Sequence, residues 1–241
     1  MRVIDKKLVR DVRRLWPQAL AIALVVAAGV ATMILAIGAY RSLYETRAAY
    51  YERYRFAEVF ATVTRAPFAL KERILRIPGV AAAETRIEKL VLLDVAEMPE
   101  PATAAAISLP DYHKPTVNLL YLRAGRLPEP EAVDEVTVNE TFAKAHGLHV
   151  GDTVRAILNG RKRTLRIVGI ALSPEYIYAL GSGDLMPDDS RFAARWMSEK
   201  ALGATSDVDG AFNSVVLKLI HGAEQADVID LLHRPTHPSP P

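Results

Sequence analysis

The sequence contains no cysteine among its 241 residues. This absence excludes disulfide bridges, thiolate metal sites and catalysis by a thiol. A domain exported from the cytoplasm would therefore be stabilised by its hydrophobic core alone. A chain of this length can form one large domain or two small ones, and about 200 residues are enough to bury such a core.

The sequence also lacks a strong excess of either charge. It has 30 Lys and Arg residues against 28 Asp and Glu residues. This balance argues against a dedicated nucleic-acid-binding protein. The basic character is local, because residues 1–16 contain six basic and two acidic side chains.

Charged side chains are absent from Trp16 to Tyr40, and Thr32 is the only polar side chain in the central 21 residues of this stretch. As a helix, the stretch would extend roughly 37 Å, which exceeds the roughly 30 Å of a bilayer's hydrocarbon core. The pattern predicts one transmembrane helix over residues 17–40. A cleaved signal peptide and the buried helix of a soluble protein are the alternatives.

Five residues are predicted to anchor this helix at the two membrane interfaces. Aromatic rings with a polar edge favour the membrane interface, and basic side chains mark the two ends of the span. The predicted anchors are Arg13, Arg14, Trp16, Tyr40 and Arg41. Six basic residues precede the span and four lie in the fifteen residues after it, so the charge bias favours an N-terminus in the cytoplasm.

Small residues recur at every fourth position along one side of the predicted span. They are Ala19, Ala23, Ala27 and Ala31. Small side chains let a second helix approach closely, so these residues form a candidate helix-packing face. Alanine is common in any membrane helix, and a face without a packing role is the alternative.

Residues 1–16 are predicted to form a cytoplasmic amphipathic elbow helix on the membrane surface. Ile4, Leu8 and Val12 fall on one helical face, and basic side chains cover much of the rest. Pro17 would turn this helix into the span. A solvated basic tail is the alternative.

The rest of the chain is predicted to form a mixed α+β domain. Residues 41–56 would continue the membrane helix into water, and residues 57–232 would form the folded domain. The domain opens with the order strand, helix, strand, which is typical of α+β folds. Residues 233–241 contain four prolines and are predicted to be a disordered tail.

Alternation of apolar residues and turn signals place the individual elements of this domain. Strands are predicted at 57–64, 80–95, 103–109, 135–138, 153–158, 161–170 and 211–220, and helices at 67–77, 139–146, 189–202 and 223–232. Asn139 is expected to cap the helix that ends at Gly147, and Asn159-Gly160 to form a two-residue hairpin turn. Three side chains of the helix over 189–202 are expected to face inward: Phe192, Trp196 and Met197.

Motifs for catalysis or cofactor binding are absent from the sequence. No Gly-x-x-x-x-Gly-Lys-Ser/Thr run is present, so any ATP would be hydrolysed by a partner. Gly181-Ser182-Gly183 lacks the spacing of a nucleophile elbow and is predicted to be a flexible loop. His146 and His149 have no third ligand beside them, which favours an ordinary surface pair. We therefore expect no enzyme activity, no cofactor and no metal site.

One basic cluster lies on the predicted hairpin. Because side chains alternate along a strand, Arg155, Arg161 and Arg163 would project from the same face. A solvated strand face is the simplest interpretation. Contact with an anionic lipid headgroup or with a partner is the alternative.

Several short stretches together resemble a known family of bacterial membrane proteins. The opening Leu8-Val9-Arg10-Asp11-Val12-Arg13-Arg14-Leu15-Trp16-Pro17 is similar to the N-terminus of ABC-transporter permeases of the FtsX-like family. Later stretches resemble their MacB-like periplasmic core domain: Ile77-Pro78-Gly79-Val80, Arg123-Ala124-Gly125-Arg126-Leu127-Pro128, Glu135-Val136-Thr137-Val138-Asn139-Glu140, His146-Gly147-Leu148, Gly151-Asp152-Thr153-Val154 and Ile167-Val168-Gly169-Ile170. The order of these pieces behind one span, rather than any single piece, carries the resemblance.

The resemblance implies a short cytoplasmic helix, a first membrane helix and a large periplasmic domain in the bacterial inner membrane. The implied partners are a separate cytoplasmic ABC ATPase subunit, a second permease copy in a homodimer, the lipid bilayer and a periplasmic adaptor, but no nucleic acid. The implied function is export, or transmission of force across the membrane, driven by the ATPase.

The sequence departs from the family pattern after its periplasmic part. Permeases of this kind return to the membrane and carry three further spans, which this sequence does not contain. We therefore expect a truncated, split or partial permease, whose membrane partner is either the second permease copy or a missing C-terminal membrane half. The alternative function is a single-pass, membrane-anchored periplasmic adaptor or binding protein.

Overall fold

The computed structural model describes residues 3–94, 102–176, 191–206, 208 and 210–233, with side chains from Leu15 onward. The loop predicted at 181–183 and the tail predicted from residue 234 onward lie outside the described residues. The chain divides into two compact units, Met1–Tyr50 and Tyr51–Pro241.

The first helix, α1 (Val3–Arg53), includes the whole uncharged stretch. It is rich in Ala and Leu, which have high helix propensity. Pro17 lies inside α1 and does not interrupt the helix. The helix therefore continues without interruption through the predicted boundaries at residues 16 and 40. One N-terminal apolar helix followed by a mixed α+β domain confirms the predicted fold class.

The domain after α1 contains ten strands and four helices in its described residues. The strands are β1 (Val59–Pro67), β2 (Val80–Arg86), β3 (Glu88–Asp94), β4 (Ala102–Leu109), β5 (Tyr121–Gly125), β6 (Glu135–Asn139), β7 (Thr153–Leu158), β8 (Arg161–Leu172), β9 (Phe192–Ser198) and β10 (Ala211–Leu219). The helices are α2 (Leu70–Leu75), α3 (Glu140–Ala145), α4 (Glu199–Ser206) and α5 (Gln225–His233).

Six strands pair in a closed ring, in the order β8-β6-β9-β4-β3-β7, and β7 pairs with β8 to complete it. Most pairs are antiparallel, but β4 with β9 and β6 with β8 are parallel. Closure leaves the ring without an unpaired edge. β5 lies outside the ring and pairs with the last residues of β8.

Alternate residues of the six strands fill the interior of this barrel. Small side chains predominate on β4 and β9, and larger aliphatic ones on β6 and β8. The interior cluster includes Ala104, Ala106, Val136, Val138, Leu165, Ile167, Ala193 and Met197, and α3 adds Phe142 and Ala143. This cluster is the larger of the two main cores of the domain.

The other three strands form a separate antiparallel sheet in the order β1-β10-β2. α2 and α5 pack on one face of it, around a core that includes Ile74, Phe212, Leu217 and Val228. β1 and β2 come from the start of the domain and β10 from its end, so this sheet holds the two ends of the domain together.

The hairpin of β7 and β8 confirms its predicted turn. Asn159 and Gly160 have positive φ angles of 48° and 72°, which a two-residue turn of this type requires at both positions. Asn and Gly adopt this left-handed conformation more readily than other residues.

The helix predicted over 189–202 is wrong. The described residues form β9 from Phe192 to Ser198, followed by α4. Every residue of β9 is buried, because one face points into the barrel and the other packs beneath Tyr176. A strand buried on both faces shows no polar alternation, so its apolar spacing can be mistaken for helical periodicity.

Two further sequence expectations need correction. β5 lies in a stretch where no strand is predicted, since its residues are exposed and show no apolar alternation. Asn139 stands at the N-cap of α3, but its side chain does not cap the helix. Its side-chain oxygen instead accepts a hydrogen bond from the N–H of Ala194 on β9, at 3.0 Å.

Candidate functional site

The apolar part of α1 is the first candidate functional element. The helix from Leu15 to Arg53 is long and apolar enough to cross a membrane, judged by length and composition. Its large side chains are exposed within the structure, for example Val25 and Leu35 with 74% and 73% of their surface accessible. Thr32 donates a hydrogen bond to the carbonyl of Ala28 at 2.9 Å, so its hydroxyl needs no water.

The predicted interface residues all lie along this helix. Trp16 and Tyr40 are exposed, and the ring of Tyr40 stacks on that of Tyr44 with 6.4 Å between centroids. The side chains of Arg13 and Arg14 lie outside the described residues. Arg41 and the four alanines of the candidate packing face, Ala19, Ala23, Ala27 and Ala31, are exposed.

A buried polar cluster joins the three-stranded sheet to the barrel. Its centre is Arg86, at the end of β2, whose guanidinium donates to both carboxylate oxygens of Glu175 at 2.5 and 2.6 Å. Arg86 also donates to Glu88 at 3.0 Å and to Ser214 on β10 at 3.2 Å. We call Arg86, Glu88, Asn118, Glu175, Tyr176 and Ser214 the Arg86 cluster.

The outer members of the Arg86 cluster extend the connection. Asn118 donates to Glu175 at 2.9 Å and accepts from the N–H of Ala57 at 2.8 Å. Tyr176 donates to Glu88 at 3.2 Å. The cluster thus ties the residues just after α1 to the segment that follows β8.

Charge and burial together fix the ionisation of this cluster. Burial alone would lower the pKa of Arg86, but hydrogen bonds and charge attraction from Glu175 outweigh it and raise the pKa above its ordinary value. Burial raises the pKa of Tyr176, and the charge of Glu175 adds to the effect. Arg86 is therefore charged and Tyr176 neutral at physiological pH, and the bidentate pair acts as a structural clamp.

A second polar group surrounds Glu84 on β2. Its carboxylate accepts hydrogen bonds from Lys71 at 3.1 Å and from the N–H and hydroxyl of Thr116 at 2.8 and 2.9 Å. His113 lies 3.3 Å from the same carboxylate. In the neighbouring α4, burial raises the pKa of Glu199 to about 7, and the charges of Asp111 and Glu84 add to the effect.

A third group forms outside the barrel around Glu135. Arg126 binds its two carboxylate oxygens at 2.6 and 2.7 Å, and Arg166 binds one of them at 2.7 Å. The hydrogen bonds from Arg126 lower the pKa of Glu135 to about 2. These ion pairs attach the segment just after β5, which contains Arg126, to β6 and β8.

The basic hairpin differs from its predicted arrangement. Arg155 lies opposite Thr164 in the β7–β8 ladder, and residues directly opposite share a face. Because side chains alternate along β8, Arg155 shares this face with Lys162 and not with Arg161 or Arg163. Arg155 and Lys162 both approach Asp94, at 3.5 and 3.4 Å. Their charges are therefore partly balanced by a carboxylate on β3.

The central carboxylates of the three clusters, Glu175, Glu84 and Glu135, are each bound by a basic side chain. Among residues 15–94, 102–176, 191–206, 208 and 210–233, no group of three or more His, Asp or Glu side chains is arranged to bind a metal ion. These clusters can hold the elements together but supply no arranged nucleophile and base.

Sequence reasoning missed the Arg86 cluster entirely. Arg86 and Glu175 are 89 residues apart, and Arg86 and Ser214 are 128 apart. No local spacing connects such residues. The only signal in the sequence is a charged Arg inside the strand predicted over 80–95.

Comparison with known proteins identifies a family over most of the chain. The family described as the MacB-like periplasmic core domain matches residues 19–234. The comparison with curated proteins gave no match. Among solved structures, the periplasmic region of MacB from Actinobacillus actinomycetemcomitans is 16% identical, with a TM-score of 0.43 over 71% of this chain and 74% of that chain.

Two further solved structures are similar at comparable levels. The extracellular domain of the noncanonic ABC-type transporter YknZ from Gram-positive bacteria is 13% identical, with a TM-score of 0.40 over 69% of this chain and 78% of that chain. A domain of a protein described as a permease from Porphyromonas gingivalis is 16% identical, with a TM-score of 0.39 over 73% and 76%.

Proposed function

The chain belongs to the family of MacB-like periplasmic core domains, and we propose that it is a membrane subunit of an ABC transporter of the FtsX and MacB type. The subunit couples ATP hydrolysis by a separate cytoplasmic ATPase to export, or to mechanical transmission across the inner membrane. The chain itself supplies a membrane anchor and an extracytoplasmic domain, and the partner supplies the nucleotide chemistry.

One observation carries this proposal. The family match begins at residue 19, inside the uncharged stretch of α1, and continues to residue 234, one residue past α5. The apolar helix and the α+β domain therefore belong to one family pattern. A cleaved signal peptide would not be expected to form part of that pattern.

We propose that the N-terminus is cytoplasmic and the domain periplasmic. The basic residues before the span support this orientation, since cytoplasmic flanks carry an excess of Lys and Arg. We retain the domain boundaries 1–16, 17–40, 41–56, 57–232 and 233–241 as the proposed organisation. Arg13, Arg14, Trp16, Tyr40 and Arg41 are the proposed interface anchors.

The proposed membrane partner contacts the alanine face of the span. Ala19, Ala23, Ala27 and Ala31 offer a close approach to a second permease copy or to a separate C-terminal membrane half. A periplasmic adaptor is a further proposed partner of the domain.

Co-purification tests the proposal. The tagged full chain, extracted from bacterial membranes in mild detergent, is expected to bring with it an ATPase subunit and either a second copy or a multi-span partner. Replacing Ala23 and Ala27 by Leu should reduce recovery of the membrane partner. Replacing Val25 and Ala36 by Leu, on the opposite side of the helix, should not.

A second candidate function is a single-pass, membrane-anchored adaptor or binding protein. It is favoured by the finding that α1 is the one helix, among the residues described, that is long and apolar enough to span a membrane. Recovery of the chain without an ATPase and without a multi-span partner would support this candidate and overturn the permease proposal.

A further inference from the structure

An open groove lies on the three-stranded sheet between α2 and α5. Its volume is about 610 Å³, within the range of about 300–1,000 Å³ that is typical of small-molecule sites. Its walls include Phe60, Val63, Leu70, Ile77, Phe212 and Ile229. We call this cavity the α2–α5 groove.

The lining of the groove is apolar and partly accessible. Val63 on β1 has 44% of its surface exposed, and Ile229 on α5 has 37%. Phe212, by contrast, is buried and forms the floor together with the core of the sheet. The groove therefore offers a continuous hydrophobic surface that is not covered by other described residues.

Two arginines stand at the α2 wall of this apolar groove. Arg73 and Arg76 both line it, three residues apart, so they are neighbours on the helical surface. Neither guanidinium forms a hydrogen bond or ion pair with a side chain in the described part of the protein. No Asp or Glu lines the groove.

Other arginines of the domain show how a guanidinium binds a carboxylate here. Arg86, Arg123, Arg126 and Arg166 each bind at least one carboxylate. A guanidinium recognises a carboxylate through two parallel N–H···O bonds. Arg73 and Arg76 are thus free to bind an anion supplied from outside the chain.

We propose that the α2–α5 groove binds a long-chain fatty acid. The acyl chain lies along the apolar lining, and the carboxylate is bound by Arg73 and Arg76. This occupant satisfies both features of the groove, since an uncharged hydrocarbon would leave the arginines unused and a hydrophilic anion would leave the apolar surface in water. The inference rests on the groove alone and does not depend on the transporter proposal.

Photo-crosslinking tests the inference on the full chain in phosphatidylcholine nanodiscs. The probe is hexadecanoic acid with a diazirine at its methyl end, and labelled residues are located by peptide mass spectrometry. Labels are expected on β1 and α5, in addition to the lipid-exposed part of α1. The labelling of α1 serves as an internal standard for the probe dissolved in lipid.

Paired substitutions make the test specific. Arg73→Gln with Arg76→Gln should reduce labelling of β1 and α5 at least about tenfold relative to α1, since the charge-assisted hydrogen bonds to the carboxylate are lost. Val63→Glu should have the same effect from the apolar side. The control pair Lys89→Gln with Arg161→Gln, both exposed and outside the groove, should leave the labelling unchanged.

The matching alcohol probe, hexadecanol with the same diazirine, should label β1 and α5 about tenfold less than the acid. Thermal unfolding of each variant checks that the domain is intact. Labels confined to α1, equal labelling by acid and alcohol, or labels that persist after both arginines are replaced in a folded variant would each overturn the proposal.

Discussion

Arg195 is the most unusual single residue of the domain. It lies on β9 between Ala193 and Met197, which point into the barrel, and alternation along the strand directs it to the same interior. Its side chain is fully buried, and its three guanidinium nitrogens find no hydrogen-bond partner among the described residues. Burial lowers the pKa of Arg195 to about 9. A charge left unpaired in an apolar interior destabilises the fold.

Replacing Arg195 by Met is expected to stabilise the protein. Met has a similar length and no charge, so the substitution removes the desolvation penalty without leaving a large cavity. We expect the free energy of unfolding to rise by about 1–3 kcal/mol in denaturant titrations of the full chain in detergent. Arg161→Met, at an exposed position, should change it little. A loss of stability in the Arg195 variant would mean that an acceptor does bind the guanidinium.

Glu199 is expected to make stability depend on pH. Its pKa is raised from 4.5 to about 7, so the folded state holds a proton that the unfolded state has released. The stabilisation is complete below pH 4.5 and is lost as the pH rises to about 7. Glu199→Gln should remove this decline, which we expect to be on the order of 1 kcal/mol after solvent screening.

Melting temperatures of the Glu199 variant and the parent, measured across this pH range, check the prediction. Glu72→Gln, on the exposed side of α2, is the matched control and should melt with the pH dependence of the parent. A parent whose melting temperature does not fall between the two pH limits would contradict the raised pKa of Glu199.

At the level of elements, sequence patterns gave correct predictions where the local signal is clear, as in a strand with one buried face, a turn residue or an uncharged stretch. The β7–β8 hairpin was predicted from Asn159-Gly160, and α1 from its uncharged stretch. The patterns failed for β9, which is buried on both faces, and for β5, which is exposed throughout. Neither strand has the two-residue alternation that distinguishes a half-buried strand from a helix or a loop.

The attachment of β5 to the barrel depends on a glycine in β8. A Cβ atom at Gly169 would collide with the carbonyl oxygen of Arg126, just after β5, and would lie 3.0 Å from the hydroxyl oxygen of Thr137. Gly169→Ala should therefore lower the free energy of unfolding by about 1–3 kcal/mol, because the clashing atom is backbone and cannot move aside alone.

Tryptophan fluorescence during denaturation measures this change, since Trp196 lies in the barrel wall. Gly38→Ala, which adds a methyl group in open space on α1, is the control and should leave the domain's unfolding unchanged. Equal stability of Gly169→Ala and the parent would show that β5 does not pack against β8 at this position.

At the scale of the whole molecule, the Arg86 cluster connects parts that are remote in sequence. Arg86→Met should destabilise the domain by about 3–5 kcal/mol, because Glu175 and Glu88 would remain as uncompensated, partly buried charges. The double substitution Arg86→Met with Glu175→Leu should recover a large part of this loss. Lys89→Met, at an exposed position on β3, is the control for urea unfolding curves.

Failure of the double substitution to recover stability would contradict the role of charge pairing in this cluster. Such clusters could not be predicted from one sequence, since their members are separated by up to 128 residues and each looks like an ordinary polar surface residue in its own segment. The membrane helix, in contrast, is predicted from a run of consecutive residues, and the family match covers residues 19–234.

The proposed orientation, with α1 across the inner membrane and the domain on its far side, can be tested by labelling single cysteines. Because the chain has no cysteine, single substitutions give unambiguous labelling sites. In intact spheroplasts, a membrane-impermeant maleimide is expected to label Lys114→Cys, at an exposed position of the domain, and to label Lys7→Cys only after lysis. Protection of Lys114→Cys until lysis, or labelling of Lys7→Cys in intact spheroplasts, would contradict this orientation.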